Sequence, residues 1–202
     1  MSAPWHIETG GALVRKVTVG PYENNAYVVA CRATRKAVLI DAAAEADRLV
    51  AECKDVEVEA ILTTHGHLDH VGAAREVADR LAVPFRLHEA DLPIAEMRSD
   101  EPLTEGDLAV GELVLDVRHT PGHTPGSMCI VTEGLVFSGD TLFPGGPGAT
   151  RFAYSSFDEI IASLERRLFT LDDATLVMPG HGLDTTIGTE RPSLGAWVER
   201  GW

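Results

Sequence analysis

With 202 residues, 45% of them hydrophobic and 24% charged, the sequence has the length and composition of one ordinary globular domain spanning residues 1–202, and no stretch approaches the roughly 20 consecutive apolar residues of a membrane span. Its 31 acidic against 17 basic residues leave a formal net charge of -14, which sets nucleic acid aside as a partner, because a phosphate backbone is repelled where no concentrated basic patch exists. The N-terminus carries neither a basic start nor an apolar run before small residues, so no secretory signal is read and the cytosol is the expected compartment.

In chain order, residues 13–19, 26–30 and 37–40 are valine-rich runs separated by Gly20-Pro21 and by the polar stretch 32–36, a pattern of strands joined by turns. Residues 43–53 carry apolar positions at helical spacing, 56–63 return to a strand, and 70–81 form a second helix with Val71, Ala74, Val77, Ala78 and Leu81 on one side. After 84–88 and a polar loop come 108–110 and 113–117, a hairpin around Gly111, then 128–132 and 135–138 around Glu133-Gly134. Residues 157–168 are the strongest amphipathic helix, with Ser155 or Ser156 to cap it. A strand at 175–178 and a helix at 193–200 complete the chain. Two strand-rich halves, each followed by helices, predict an α/β sandwich of two sheets with helices on the outer faces.

Three cysteines, Cys31, Cys53 and Cys129, are an odd number at unrelated spacings. That opposes both a disulfide framework and a cysteine zinc cluster. Metal chemistry is carried instead by Thr64-His65-Gly66-His67-Leu68-Asp69-His70, which places four candidate ligands of types that suit zinc and also accept iron or manganese. His65 and His67, two apart in a loop leaving a strand, can point to one side. Asp69 and His70 open the following helix and face elsewhere, so they suit a second ion; Asp69 also suits the helix N-cap. Three further residues sit on rigid perches among turn residues: His123 in Thr120-Pro-Gly-His123-Thr-Pro-Gly126, Asp140 after Gly139, and His181 between Gly180 and Gly182. A histidine framed by glycine and proline in one loop is usually just solvated, but the density of this set points to metal binding.

The motifs His65-x-His67-x-Asp69-His70, Thr120-Pro-Gly-His123-Thr-x-Gly, Gly139-Asp140 and Gly180-His181-Gly182, together with Asn25-Ala-Tyr27, Leu39-Ile40-Asp41 and Gly188-Thr-Glu-Arg-Pro192, resemble the metallo-β-lactamase superfamily and, within it, the glyoxalase II-like branch. That resemblance implies an αβ/βα sandwich with two mixed sheets. It implies one divalent metal ion on His65, His67 and His123, a second on Asp69, His70 and His181, and Asp140 bridging them, zinc being the first expectation and iron or manganese the alternatives. Asp41 matches a carboxylate that orients a ligand imidazole in that family. His119, His88 and His6 match no ligand position.

The implied chemistry is hydrolysis by a hydroxide held between two metals, with Asp69 and Asp140 holding the ions and orienting the water. No serine or cysteine nucleophile motif is present. Because a thiolate leaves without a general acid, the expected substrate is a small-molecule thioester, an S-acyl conjugate of a small thiol. Long glyoxalase II enzymes grip glutathione with a C-terminal helical domain, whereas this sequence ends soon after His181, so Arg151 and Tyr154 in the loop after Gly148 are the candidates for substrate contact. A lactonase or esterase would use the same seven residues. A persulfide dioxygenase, also of this superfamily, would use a single iron and oxidise sulfur.

Overall fold

A computed structural model of the chain describes residues 4–201. Its first half is β1 (Ile7–Glu8), β2 (Ala12–Val19), β3 (Asn24–Cys31), β4 (Lys36–Ile40), α1 (Ala46–Glu52), β5 (Glu57–Leu62), α2 (Leu68–Val71), α3 (Ala74–Leu81), β6 (Phe85–Leu87), α4 (Leu92–Ala95) and β7 (Glu101–Pro102). Among the described residues these seven strands form one sheet in sequence order, antiparallel from β1 to β4 and parallel from β4 to β7. The second half is β8 (Gly106–Val110), β9 (Leu113–His119), β10 (Met128–Thr132), β11 (Leu135–Gly139), a small ribbon of β12 (Leu142–Phe143) with β13 (Gly146–Pro147), α5 (Phe157–Ser163), β14 (Leu176–Pro179), β15 (Thr185–Thr186), α6 (Ile187–Glu190) and α7 (Leu194–Arg200). Its sheet runs β15-β14-β11-β10-β9-β8, with β11 and β14 parallel.

Side chains on a strand alternate between faces, and here the alternation sorts the apolar residues into three clusters. Tyr27, Val29, Ile40, Leu62, Leu115, Phe137 and Met178 fill the space between the sheets, where the rings of Tyr27 and Phe137 meet at 5.0 Å. Their neighbours Val28, Leu39 and Ile61 face outward and are covered by Leu49 and Val77 of the helices. On the opposite side Cys129, Val136 and Val177 are covered by Leu164, Leu168 and Trp197. Both faces of the central strands are thus buried, which is why β3 is buried at every position. Each large side chain so enclosed stabilises the fold by about 1.5–3 kcal/mol. No helix among the described residues is long and apolar enough to cross a membrane, and all three cysteines are buried and free.

Helix boundaries depart from the expected ones in three places. The helix expected over 70–81 is two: Ala73 gives its N–H to Ala42 O at 3.0 Å instead of to the helix, and a Cβ on Gly72 would stand 2.7 Å from Ala43 O, so the loop after β4 wedges into the break. The helix expected from 43 begins at Ala46, because Glu45 lies in the left-handed region at φ 54 with its carboxylate accepting from Gly20 N at 2.8 Å. The third concerns 157–168. Ser156 caps the helix by accepting from Glu159 N, but from Leu164 the turns widen to π, and Leu164, Leu168 and Phe169 all reach the outer core.

Candidate metal centre

The parallel pairs β4/β5 and β11/β14 deliver most of the site. Asp41 follows β4, His65 follows β5, Asp140 follows β11 and His181 follows β14, so loops leaving the C-terminal ends of four strands meet along one edge of the sandwich. His123 comes from the β9–β10 connection, and His67, Asp69 and His70 from the turn into α2. Asp69 is the second residue of α2; the N-cap is His67, which makes no side-chain cap hydrogen bond. The capping role expected of Asp69 is therefore not taken up, since its carboxylate faces His181 and Asn24.

All seven expected side chains come together. His67 Nδ1 stands 3.0 Å from His65 Nε2 and 3.0 Å from His123 Nε2. Asp69 Oδ2, His70 Nε2 and His181 Nε2 form a second trio, with separations of 3.2 Å between the two imidazoles, 3.3 Å from His181 to Asp69 and 3.8 Å from His70 to Asp69. Asp140 lies between the trios, Oδ1 3.4 Å from His70 Nε2 and Oδ2 3.6 Å from His123 Nε2. Nitrogen ligands 2.0–2.1 Å from a tetrahedral ion are about 3.3 Å apart, so both trios have the spacing of a coordination shell. Asp140 Oδ1 is buried and has no hydrogen-bond partner, as an atom reserved for a cation would be.

Each imidazole has its other nitrogen occupied, which fixes the ring and leaves the inward nitrogen to bind. His70 Nδ1–H donates to Asp41 Oδ2 at 3.0 Å, His123 Nδ1–H to Ala149 O at 2.8 Å, and His181 Nδ1–H to Tyr22 O at 3.0 Å. His67 Nε2 is 2.8 Å from Tyr154 Oη. Thr64 Oγ1 donates to Asp41 Oδ2 at 2.8 Å and lies 3.2 Å from His65 Nδ1, so Asp41 steadies a ring of each trio, one directly and one through a hydroxyl. Asp41 is itself held at φ 56 by Thr64 N, which donates to Oδ1 at 2.7 Å. Asp41→Asn is expected to weaken metal binding tenfold to a hundredfold, read by competition between the protein and a chelator for Zn2+; unchanged affinity would contradict the positioning role.

Electrostatics divide the two trios. Burial, then the neighbouring imidazoles, hold His65 well below the ordinary histidine range. Burial and His123 bring His67 down to about 4, and burial also lowers His123. These three rings stay neutral at pH 7, the form that binds a metal. Burial works against charge on His70 too, but Asp140 and Asp41 outweigh it and hold that ring well above its usual value. His181 is raised in the same sense by Asp69 and Asp140. Asp69 and Asp140 are lowered, their burial outweighed by His181 and His70 respectively. The carboxylates thus favour positive charge at the second trio, where a divalent ion would supply it.

Of the two residues expected to touch substrate, Arg151 lines the cavity over the centre, whereas Tyr154 stands behind His67 as its hydrogen-bond partner. His88 and His119 stack on each other at 4.6 Å, His6 meets Asp184, and none of them joins a trio. Sequence reasoning missed Asn24, whose amide lies 3.2 Å from Asp69 Oδ2 and 3.3 Å from His181 Nε2. It also missed Asp91. This buried carboxylate accepts from Gly66 N, Thr124 Oγ1 and Gly126 N at 2.7, 2.6 and 2.6 Å, tying the His65–His67 turn to the His123 turn. Asn24 had a signal in its neighbour Asn25, part of a recognised motif; Asp91 had none.

Residues 19–181 match the metallo-beta-lactamase superfamily. This chain belongs to that superfamily. Among its relatives is the hydroxyacylglutathione hydrolase GloC of Haemophilus influenzae, 34% identical over 79% of this chain and 86% of that protein. Solved structures of the superfamily superpose closely. BLEG-1, a B3 metallo-beta-lactamase, gives a TM-score of 0.80 at 32% identity, covering 89% of this chain and 96% of the other. TTHA1623 in a di-iron-bound form gives 0.78 at 36% identity, with 88% and 97% covered. The two mixed sheets with outer helices are the superfamily's fold, and the histidine–aspartate cluster is suited to the divalent metals that superfamily members bind.

Proposed function

We propose that this metallo-beta-lactamase superfamily member hydrolyses thioesters of a small thiol at a centre of two divalent metal ions. The observation that carries the proposal is the convergence of seven nitrogen and oxygen donors on two adjacent points, with Asp140 reaching both. His65, His67 and His123 would hold one ion, Asp69, His70 and His181 the other, and Asp140 both. When bound, the pair supplies a water of lowered pKa and an electrophile for a carbonyl oxygen. Zinc suits this donor set first, with iron and manganese as alternatives; a similar structure in a di-iron-bound form supports iron as the second candidate.

The chain's own groups set the reaction's limits. Asp69 and Asp140, with carboxyls held below their usual range, stay ionised to orient the attacking water and to anchor both ions. Beyond the cluster, the ionisable side chains lining the cavity among the described residues are Tyr22, Glu45, Glu76 and Arg151. Glu45 is paired with Arg48 and Glu76 with Arg80, so neither is poised as an acid for a departing amine. A thiolate leaves without one, which favours a thioester over an amide, and the name of the relative GloC supports the same choice.

The test is metal analysis of the purified protein alongside turnover of S-lactoylglutathione, other thioesters and lactones, with oxygen uptake on a persulfide as control. Close to two metals per chain and thioester cleavage at kcat/KM of about 10⁴ M⁻¹s⁻¹ or more is the expected result. One iron per chain with oxygen consumption would overturn it, and lactone turnover without thioester turnover would move the protein to a different ester class.

A further inference from the structure

The cavity over the centre measures about 880 Å³, the size of sites that enclose a whole small ligand, and its rim is apolar on both sides. On the His67 side stand Leu68, 72% exposed, and Phe152, whose ring lies 4.9 Å from that of His67 and stacks on Tyr154 at 5.4 Å with planes 10° apart. On the His181 side stand Tyr22, 70% exposed, whose carbonyl holds His181, and Phe143, whose ring is 6.5 Å from that of His181. Single exposed apolar side chains are ordinary, but their gathering around one cavity marks a surface meant to be covered.

The charged side chains on the wall, the cluster aside, leave no net negative field: Glu45 and Glu76 are paired with Arg48 and Arg80, and the third is Arg151. A substrate whose carbonyl sits over the two trios must send one arm toward each rim, so its acyl arm lies on apolar side chains whichever way round it binds.

Resting on the thioester reading, we infer that the substrate is a thioester with an apolar acyl group, aliphatic or aromatic. The test uses the metal-loaded enzyme and a series of thioesters of N-acetylcysteamine, an uncharged thiol, from acetyl through butyryl and hexanoyl to octanoyl. Burial of each added methylene is expected to raise kcat/KM by up to about fourfold. Leu68→Ser, at a position exposed enough for the fold to tolerate it, is expected to flatten the chain-length profile. A flat profile in the unmodified enzyme, or a preference for lactoyl over octanoyl, overturns this inference while leaving thioester hydrolysis standing. Failure to cleave any member of the series overturns both.

Discussion

Asp140→Ala is expected to lower kcat/KM by at least about a hundredfold and to strip the purified protein of most of its metal. A hundredfold is the upper range for losing a group that only supports a ligand, and Asp140 does more. Its two oxygens face the imidazoles of both trios, at 3.4 Å from His70, 3.6 Å from His123 and 3.8 Å from His181, so its loss opens both coordination shells at once. It also removes a negative charge that raises the pKa of both His70 and His181, leaving those rings among other imidazoles with less carboxylate to balance them. His65→Ala separates the two consequences. It breaks the all-histidine trio and leaves Asp69, His70 and His181 complete, so it is expected to abolish hydrolysis while retaining close to one metal per chain. Metal analysis and turnover on the same preparations give both numbers, and either variant with full activity refutes the assignment of that side chain.

The parts of this molecule that were legible in its sequence are those where residue type alone carries the constraint. Metal chemistry draws on few side chains, and loops that aim them draw on glycine and proline, so His123 and His181 stood out on their perches and His65-x-His67-x-Asp69-His70 stood out by density. Sheet positions were legible for a similar reason: β2, β3, β10 and β11 are valine-, isoleucine- and leucine-rich runs between turns. Constraints that arise from a distant part of the chain left no local mark. The break between α2 and α3 depends on Ala42 and Ala43 reaching in from the end of β4, and the late start of α1 depends on Glu45 turning to Gly20. Tyr154 reads as a solvent-facing residue near a cavity until Phe152 and His67 are placed around it.

Asp91 is the extreme case, and it carries the second large effect. It lies in an acidic, polar stretch where an aspartate attracts no notice, yet it is fully buried and no cation lies within ion-pair distance of it among the described residues. Its charge is satisfied by donors 25, 33 and 35 positions away in sequence: the Gly66 N–H and Thr124 hydroxyl on Oδ2 and the Gly126 N–H on Oδ1. Gly66 separates His65 from His67, and Thr124 follows His123, so one carboxylate sets the distance between the two turns that build the all-histidine trio. In Asp91→Asn the amide nitrogen must face either Gly126 N–H or Gly66 N–H, a donor against a donor, and a buried N–H left unmatched costs about 1–3 kcal/mol. The metal-free variant is therefore expected to unfold more easily by roughly that amount in urea. Its effect on metal is expected to be selective: titration with Zn2+ should show the step belonging to His65, His67 and His123 weakened tenfold to a hundredfold, with the step at Asp69, His70 and His181 little changed. Asp41→Asn supplies the contrast, because Asp41 bonds His70 directly and so must disturb the second step. If Asp91→Asn lowered both steps equally, its role would be general support of the fold; if it lowered neither and left stability intact, the two turns would be held in register by something other than this carboxylate.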